Sequence, residues 1–165
     1  MKTISLKKIN TNIIILFLLS IISLASPIIV HYLGLKGTEF LPIFFALSLG
    51  AYILNPLFLI MLSIISPILN YLLTNMPMPP ILYFLIFEGI VFSSIIGFAK
   101  NRNISFILLS LFAFIFARLS SVILTFIFNI NINTWINGLI SAYKGVIINW
   151  AFASIMYLIF KEKDN

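Results

Sequence analysis

Two ionisable residues interrupt long apolar runs: Glu88 in "YFLIFEGIVF" and Arg118 in "FIFARLSSVI". An unpaired charge in hydrocarbon costs several kcal/mol, so each is expected to face inward and meet the other, a polar cavity or a ligand. Ser121, Thr125 and Asn129 follow Arg118 at helical spacing and share its face. A second stripe carries Ser63, Ser66, Asn70 and Thr74, and a third carries Asn137, Ser141 and Lys144. Together the stripes describe a cup lined by hydroxyls, amides and a few charges, which would bind a small polar molecule by hydrogen bonds and charge. The candidate contact residues are Glu88, Arg118, Asn70, Tyr83, Ser121, Thr125, Lys144, Asn149 and Trp150. Tyr83 is expected to hang into the cup, whereas Asn149 and Trp150 are open between pocket and packing. The competing reading is structural: membrane Ser and Thr commonly bond their own backbone, and ion pairs fix helix register.

Other chemistry is missing. The chain has no cysteine and one histidine, His31, which removes thiolate chemistry and leaves too few ligands for a multi-histidine metal centre or a catalytic dyad. No Walker motif, HExxH or Ser-His arrangement occurs. No cofactor and no catalytic residue is expected. His31 and Trp135 are expected at the membrane interface, where amphipathic rings collect.

The elements that must position these residues are apolar helices. Hydrophobic residues make up 62% and charged residues 8% of 165, and the mean hydropathy is +1.18. A soluble domain carries about 25% charged residues, so the reading is an all-α integral membrane protein. Six apolar segments, at about 13–30, 40–54, 56–73, 80–98, 104–128 and 139–160, predict a single domain, a bundle of six transmembrane helices. The second is short and turns at Asn55-Pro56 into the third. Seven of the ten basic residues fall on one side: Lys2, Lys7, Lys8, Lys100, Arg102, Lys161 and Lys163. The positive-inside rule then puts both termini in the cytoplasm of a prokaryotic cell and opens the cup outward. The net charge of +6 is assigned to the membrane surface, not to nucleic acid. Cleavage of the first segment as a signal peptide at "SLAS" is the rival reading, and would spoil this charge pattern.

The run from Phe40 to Gly89 resembles the substrate-binding S components of energy-coupling factor (ECF) vitamin transporters. The resemblance rests on Leu41-Pro42, Leu49-Gly50 with Pro56, Ser66-Pro67-Ile68-Leu69, the "TNMPMPP" loop from Thr74 to Pro80, and Glu88 in the next helix. Ala117-Arg118 resembles a Gly-Arg in the fifth helix, and "YKGVIINW", Tyr143 to Trp150, the opening of the sixth. The resemblance implies an ATPase-free subunit that binds a water-soluble vitamin or precursor outside and delivers it inward. Its implied partners are a transmembrane coupling protein and two cytoplasmic ATPases. Departures are the first helix, where "TNIIILFLLSIIS" has no AxxxA docking motif, Ala117 in place of glycine, and Lys144 in place of proline. Lys144 would add a cation at the cup's mouth and favour a carboxylate or phosphate on the ligand. A membrane scaffold resembling the rod-shape-determining proteins is the alternative; there Glu88 and Arg118 would form a purely structural pair.

Overall fold

Prolines and residues with left-handed backbone divide the apolar runs. The computed structural model describes residues 6–99 and 105–161, and the side chains of all of these except 6–8 and 38. α1 spans Leu6–Tyr32 and stops at Gly34, whose φ is +72°. Bonds from Gly34 N to His31 O and from Leu35 N to Val30 O close it as a Schellman cap. α2 is one turn, Gly37–Phe40, and α3 is Ile43–Ile53. α4, Pro56–Thr74, opens with proline in its first turn and ends at Asn75, φ 55°. α5 is Ile81–Ala99, and α6 is Phe106–Ser120, followed by a short α7, Ile123–Ile127. α8 is Ile132–Ser141 and α9 is Tyr143–Lys161.

The described residues thus form nine helices and no strand. Five helical spans are long and apolar enough to cross a membrane: 9–32, 56–74, 81–99, 106–127 and 143–161. With the composition, they make this a multi-pass membrane protein.

The expected count of six spans is corrected. The segment at 40–54 is broken near its start, because Leu41 takes a left-handed conformation, φ 49°, and Pro42 has no N–H to continue a helix. What remains is an 11-residue helix, roughly 17 Å long, against about 30 Å of hydrocarbon. The segment at 139–160 is divided: its first residues end α8, which starts at Ile132, and the long helix begins at Tyr143. Most of the basic residues used for orientation, Lys2, Lys7, Lys8, Lys100, Arg102 and Lys163, have side chains outside the described residues.

Short connections make successive long helices run antiparallel. One end of the bundle, called distal here, carries the α1–α2, α4–α5 and α7–α8–α9 links and lies away from residues 6 and 161. α4 packs on α1 and α5, α5 on α6, and α6 on α9. α3 lies between α1 and α9 and also meets α4 and α5. It therefore fills the interior, burying Phe44, Ala46, Leu47, Ser48 and Ala51. Phe92 and Phe114 pack beside it, their rings tilted by 31° with centroids 4.3 Å apart.

Close backbone approach fixes the α2–α9 contact. A Cβ on Gly145 would stand 2.7 Å from Phe40 C, 2.8 Å from Glu39 O and 2.9 Å from Leu41 Cγ. Gly138, one helix earlier, has nothing within 4 Å of that position. Gly145→Ala is expected to destabilise the folded protein by about 1–3 kcal/mol, the usual cost of overpacking. Gly138→Ala is expected to stay within ~0.5 kcal/mol of the parent. Denaturant unfolding in detergent, followed by circular dichroism, compares the two.

Candidate functional site

The interior contains many polar residues, and most act as clamps between helices. Pro27 lies inside α1 and cannot donate to the carbonyl of Ser23 four residues back. Asn70 Nδ2 on α4 donates to that carbonyl at 3.0 Å and to Ser66 O at 2.9 Å. Asn149 on α9, fully buried, donates to Gly145 O at 2.8 Å, and more distantly to Phe40 O at 3.4 Å and Leu41 O at 3.5 Å. Its Oδ1 lies 3.1 Å from the Ser48 hydroxyl of α3. Trp150 Nε1 donates to Ile107 O at 2.9 Å, tying α9 to α6. These residues hold helix ends and breaks in register.

Glu88 and Arg118 meet, as the sequence led us to expect. Arg118 Nη1 donates to both carboxylate oxygens, at 2.9 Å to Oε1 and 2.7 Å to Oε2. The pair is desolvated, with side chains 13% and 2% exposed for Arg118 and Glu88. The Ser121 hydroxyl lies 2.8 Å from Glu88 Oε1 and 2.8 Å from Arg118 O, so its single proton goes to one of them at a time. It also accepts a bond from Trp135 Nε1 at 3.0 Å. The chain reaches this geometry by a local tightening after α6. Ser120, Ser121 and Thr125 each turn a hydroxyl back to the carbonyl three residues earlier, at 3.0, 2.8 and 2.7 Å. Backbone bonds from Val122 to Leu119 and from Leu124 to Ser121 also close three-residue turns. Such back-bonding competes with the regular helix ladder, and Ser121 stands against Glu88 where α6 ends.

Beside the pair opens a cavity of about 340 Å³ at the distal end. Glu88, Arg118, Phe84, Leu85 and Ile81 form one side and Leu41 another. α8 forms the roof with Thr134, Trp135, Asn137, Gly138, Leu139 and Ser141. No residue of α8 is buried. Its isoleucines at 132, 136 and 140 are all exposed, on the face opposite Thr134 and Gly138. This is the pattern of a helix lying in a membrane interface. Among the described residues, one side-chain hydrogen bond, Trp135 to Ser121, fastens the roof to the bundle.

The nine candidates therefore divide. Glu88 and Arg118 line the cavity, and Ser121 lies directly behind them. Asn70, Asn149 and Trp150 sit elsewhere as clamps. Thr125 is buried and bonds its own helix. Tyr83 lies outside the cavity, 41% exposed, stacked on Phe128 at 5.0 Å. Lys144 is at the surface, its ammonium 3.0 Å from Glu39 Oε2. Trp135, expected only at the interface, and Thr134 are cavity residues outside the candidate set. Their signal is legible in α8, where Ile132, Ile136 and Ile140 mark one face and leave the other for the cavity. No protein-family profile, no curated protein and no solved structure matches the chain.

Removing one partner leaves the other charge buried, at a cost of about 3–5 kcal/mol. Glu88→Gln and Arg118→Met are each expected to destabilise by that order, and the double variant by much less than their sum. Unfolding of all four proteins in one detergent gives the coupling energy directly; additivity would show that the two groups do not depend on each other.

Proposed function

We propose that the chain is a substrate-binding membrane subunit of an importer, of the kind represented by ECF S components. Its reading as a prokaryotic cell-membrane protein with both termini cytoplasmic belongs to the same proposal, and turns the distal cavity outward. The cavity captures a small water-soluble molecule of vitamin type. A separate transmembrane coupling protein and two cytoplasmic ATPases carry out its transfer. The protein is a binder and not an enzyme: the Glu88 carboxylate is engaged by Arg118 and Ser121, and Arg118 keeps donors for a ligand.

The single observation that carries this reading is the 340 Å³ distal cavity walled by a desolvated ion pair and roofed by a lightly fastened interfacial helix. The volume falls within the range of about 300–1,000 Å³ for small-molecule sites. Charge accounting narrows the ligand. Glu88 and Arg118 cancel, and Lys144 is occupied by Glu39 outside the cavity. A carboxylate or phosphate entering here would meet no uncompensated cation. The site suits a neutral or internally balanced molecule whose acceptor atoms face Arg118 and whose polar rim meets Thr134 and Asn137.

The scaffold reading draws on one observation of its own: Glu88 takes its bonds from Arg118 and Ser121 within the protein. The two are separated by mass spectrometry of small molecules retained through purification in detergent, before and after incubation with a mixture of water-soluble vitamins. One compound is expected to be retained at near one-to-one stoichiometry and lost from Trp135→Phe, which removes the roof's hydrogen bond but keeps an aromatic ring. Retention of nothing, from a protein that unfolds cooperatively, favours the scaffold.

A further inference from the structure

A second, larger cavity of about 800 Å³ lies at the same end, on the other side of α2. Its walls are mostly apolar: Pro27 and Ile28 of α1, Pro42 and Ile43 at the start of α3, and Met76, Pro77, Met78 and Ile81 of the α4–α5 link. His31 and Lys36 stand among the lining residues. The neighbouring surface is greasy, since Ile28, Ile29, Tyr32, Leu72 and Leu73 are all exposed. Long apolar helices end here, so the groove lies where hydrocarbon gives way to headgroups. Methionines suit such a wall because they adapt to flexible apolar partners.

The charge at its edge is unbalanced. Among the described residues, Glu39 is the one carboxylate in reach of two lysines. It bonds Lys144 at 3.0 Å and stands 3.9 Å from Lys36, whose side chain is 80% exposed. The close partner is Lys144, so Lys36 brings a net cation to the mouth of an apolar groove. An apolar slot with a cation at headgroup level is complementary to an anionic amphiphile: the chain fills the slot and the phosphate meets the lysine.

We propose that this groove is a lateral lipid site that seats one acyl chain of a phospholipid with an anionic headgroup, its phosphate held by Lys36 with His31 alongside. The site is distinct from the ion-pair cavity and does not depend on what that cavity binds. Lipids enter it from the bilayer, between α1 and the α4–α5 link.

The test is native mass spectrometry of the full chain released from detergent micelles containing phosphatidylglycerol and phosphatidylcholine of matched chains. Wild type is expected to retain one phosphatidylglycerol with about fivefold preference, the effect of one basic residue near an anionic headgroup. Lys36→Glu and Lys36→Gln, both at an exposed position, should bring the ratio to parity or below. Lys161→Glu, which changes the net charge equally at the other end, should leave the preference intact. Ile28→Trp, which fills the groove, should reduce retention of both lipids. Equal retention of the two lipids by wild type would mean ordinary boundary lipid and overturn the proposal. So would a preference that survives in Lys36→Glu, or retention of a non-lipid molecule that Ile28→Trp displaces.

Discussion

A polar group inside a membrane protein has to find its partner within the protein, because hydrocarbon offers none. This constraint organises the bundle. Where Pro27 removes a backbone donor from α1, Asn70 of α4 reaches across to the freed Ser23 carbonyl. Where α2 and α3 are joined by a left-handed Leu41 and by Pro42, Asn149 of α9 reaches toward the carbonyls of Phe40 and Leu41 at 3.4 and 3.5 Å, and Ser26 donates to Pro42 O at 2.8 Å. The helices are irregular at these points, and each irregularity is answered by a side chain from a neighbour. Apolar packing drives the helices together only weakly when the solvent is itself apolar. The polar clamps therefore set which helix meets which, and at what height.

The Glu88–Arg118 pair is the strongest case of the same rule, and it also shapes the cavity. Two charges on adjacent helices are tolerable only with good geometry and further hydrogen bonds. Arg118 Nη1 is shared between the two carboxylate oxygens and Ser121 stands on Oε1, while Arg118 Nε is buried with no hydrogen-bond partner among the described residues. Ser121 stands where the chain tightens after α6. From there the chain runs through α7 to Asn129, whose φ of 50° turns it into α8. Trp135 links α8 to the pair by donating to the hydroxyl that serves the carboxylate.

Much of this was readable from residue types, and the failures have physical causes. The apolar runs gave the long helices because a membrane helix is encoded by length and composition alone. Glu88 and Arg118 were found by the same logic, since a charge in such a run must have a partner. The stripes of Ser, Thr and Asn misled in part. A hydroxyl can satisfy itself on its own helix, as Thr125 does, and nothing in a single sequence separates that from a pocket wall. Tyr83 was expected in the cup from its depth alone; five residues before Glu88, it lies well round the helix from it, so that α5 turns Glu88 and Leu85 inward and leaves Tyr83 to stack on Phe128. The split at Leu41-Pro42 was half legible. Proline marked a boundary, but the left-handed Leu41 has no signature in residue type. Most of α8 fell between the fifth and sixth apolar segments, although Asn131 is its N-cap, accepting from Asn133 N at 2.9 Å.

The two distal cavities differ in kind, and one short segment separates them. Leu41 walls the ion-pair cavity, Gly37, Pro42 and Ile43 wall the apolar groove, and Ile81 touches both. The segment from Gly37 to Pro42 is therefore a partition. It is held from three directions: by Gly145, where backbone and backbone meet with no room for a Cβ, by the Ser26 hydroxyl on Pro42 O, and by the Lys144–Glu39 ion pair. The first is rigid packing and the second a buried hydrogen bond, but the third is exposed and worth little energetically. Close packing on Gly145 thus fixes the partition from Glu39 to Leu41, the Ser26 bond fixes it at Pro42, and the Lys144–Glu39 pair adds little. Because both cavities share this wall, the same contacts that fix the α2–α9 approach set the shape of each.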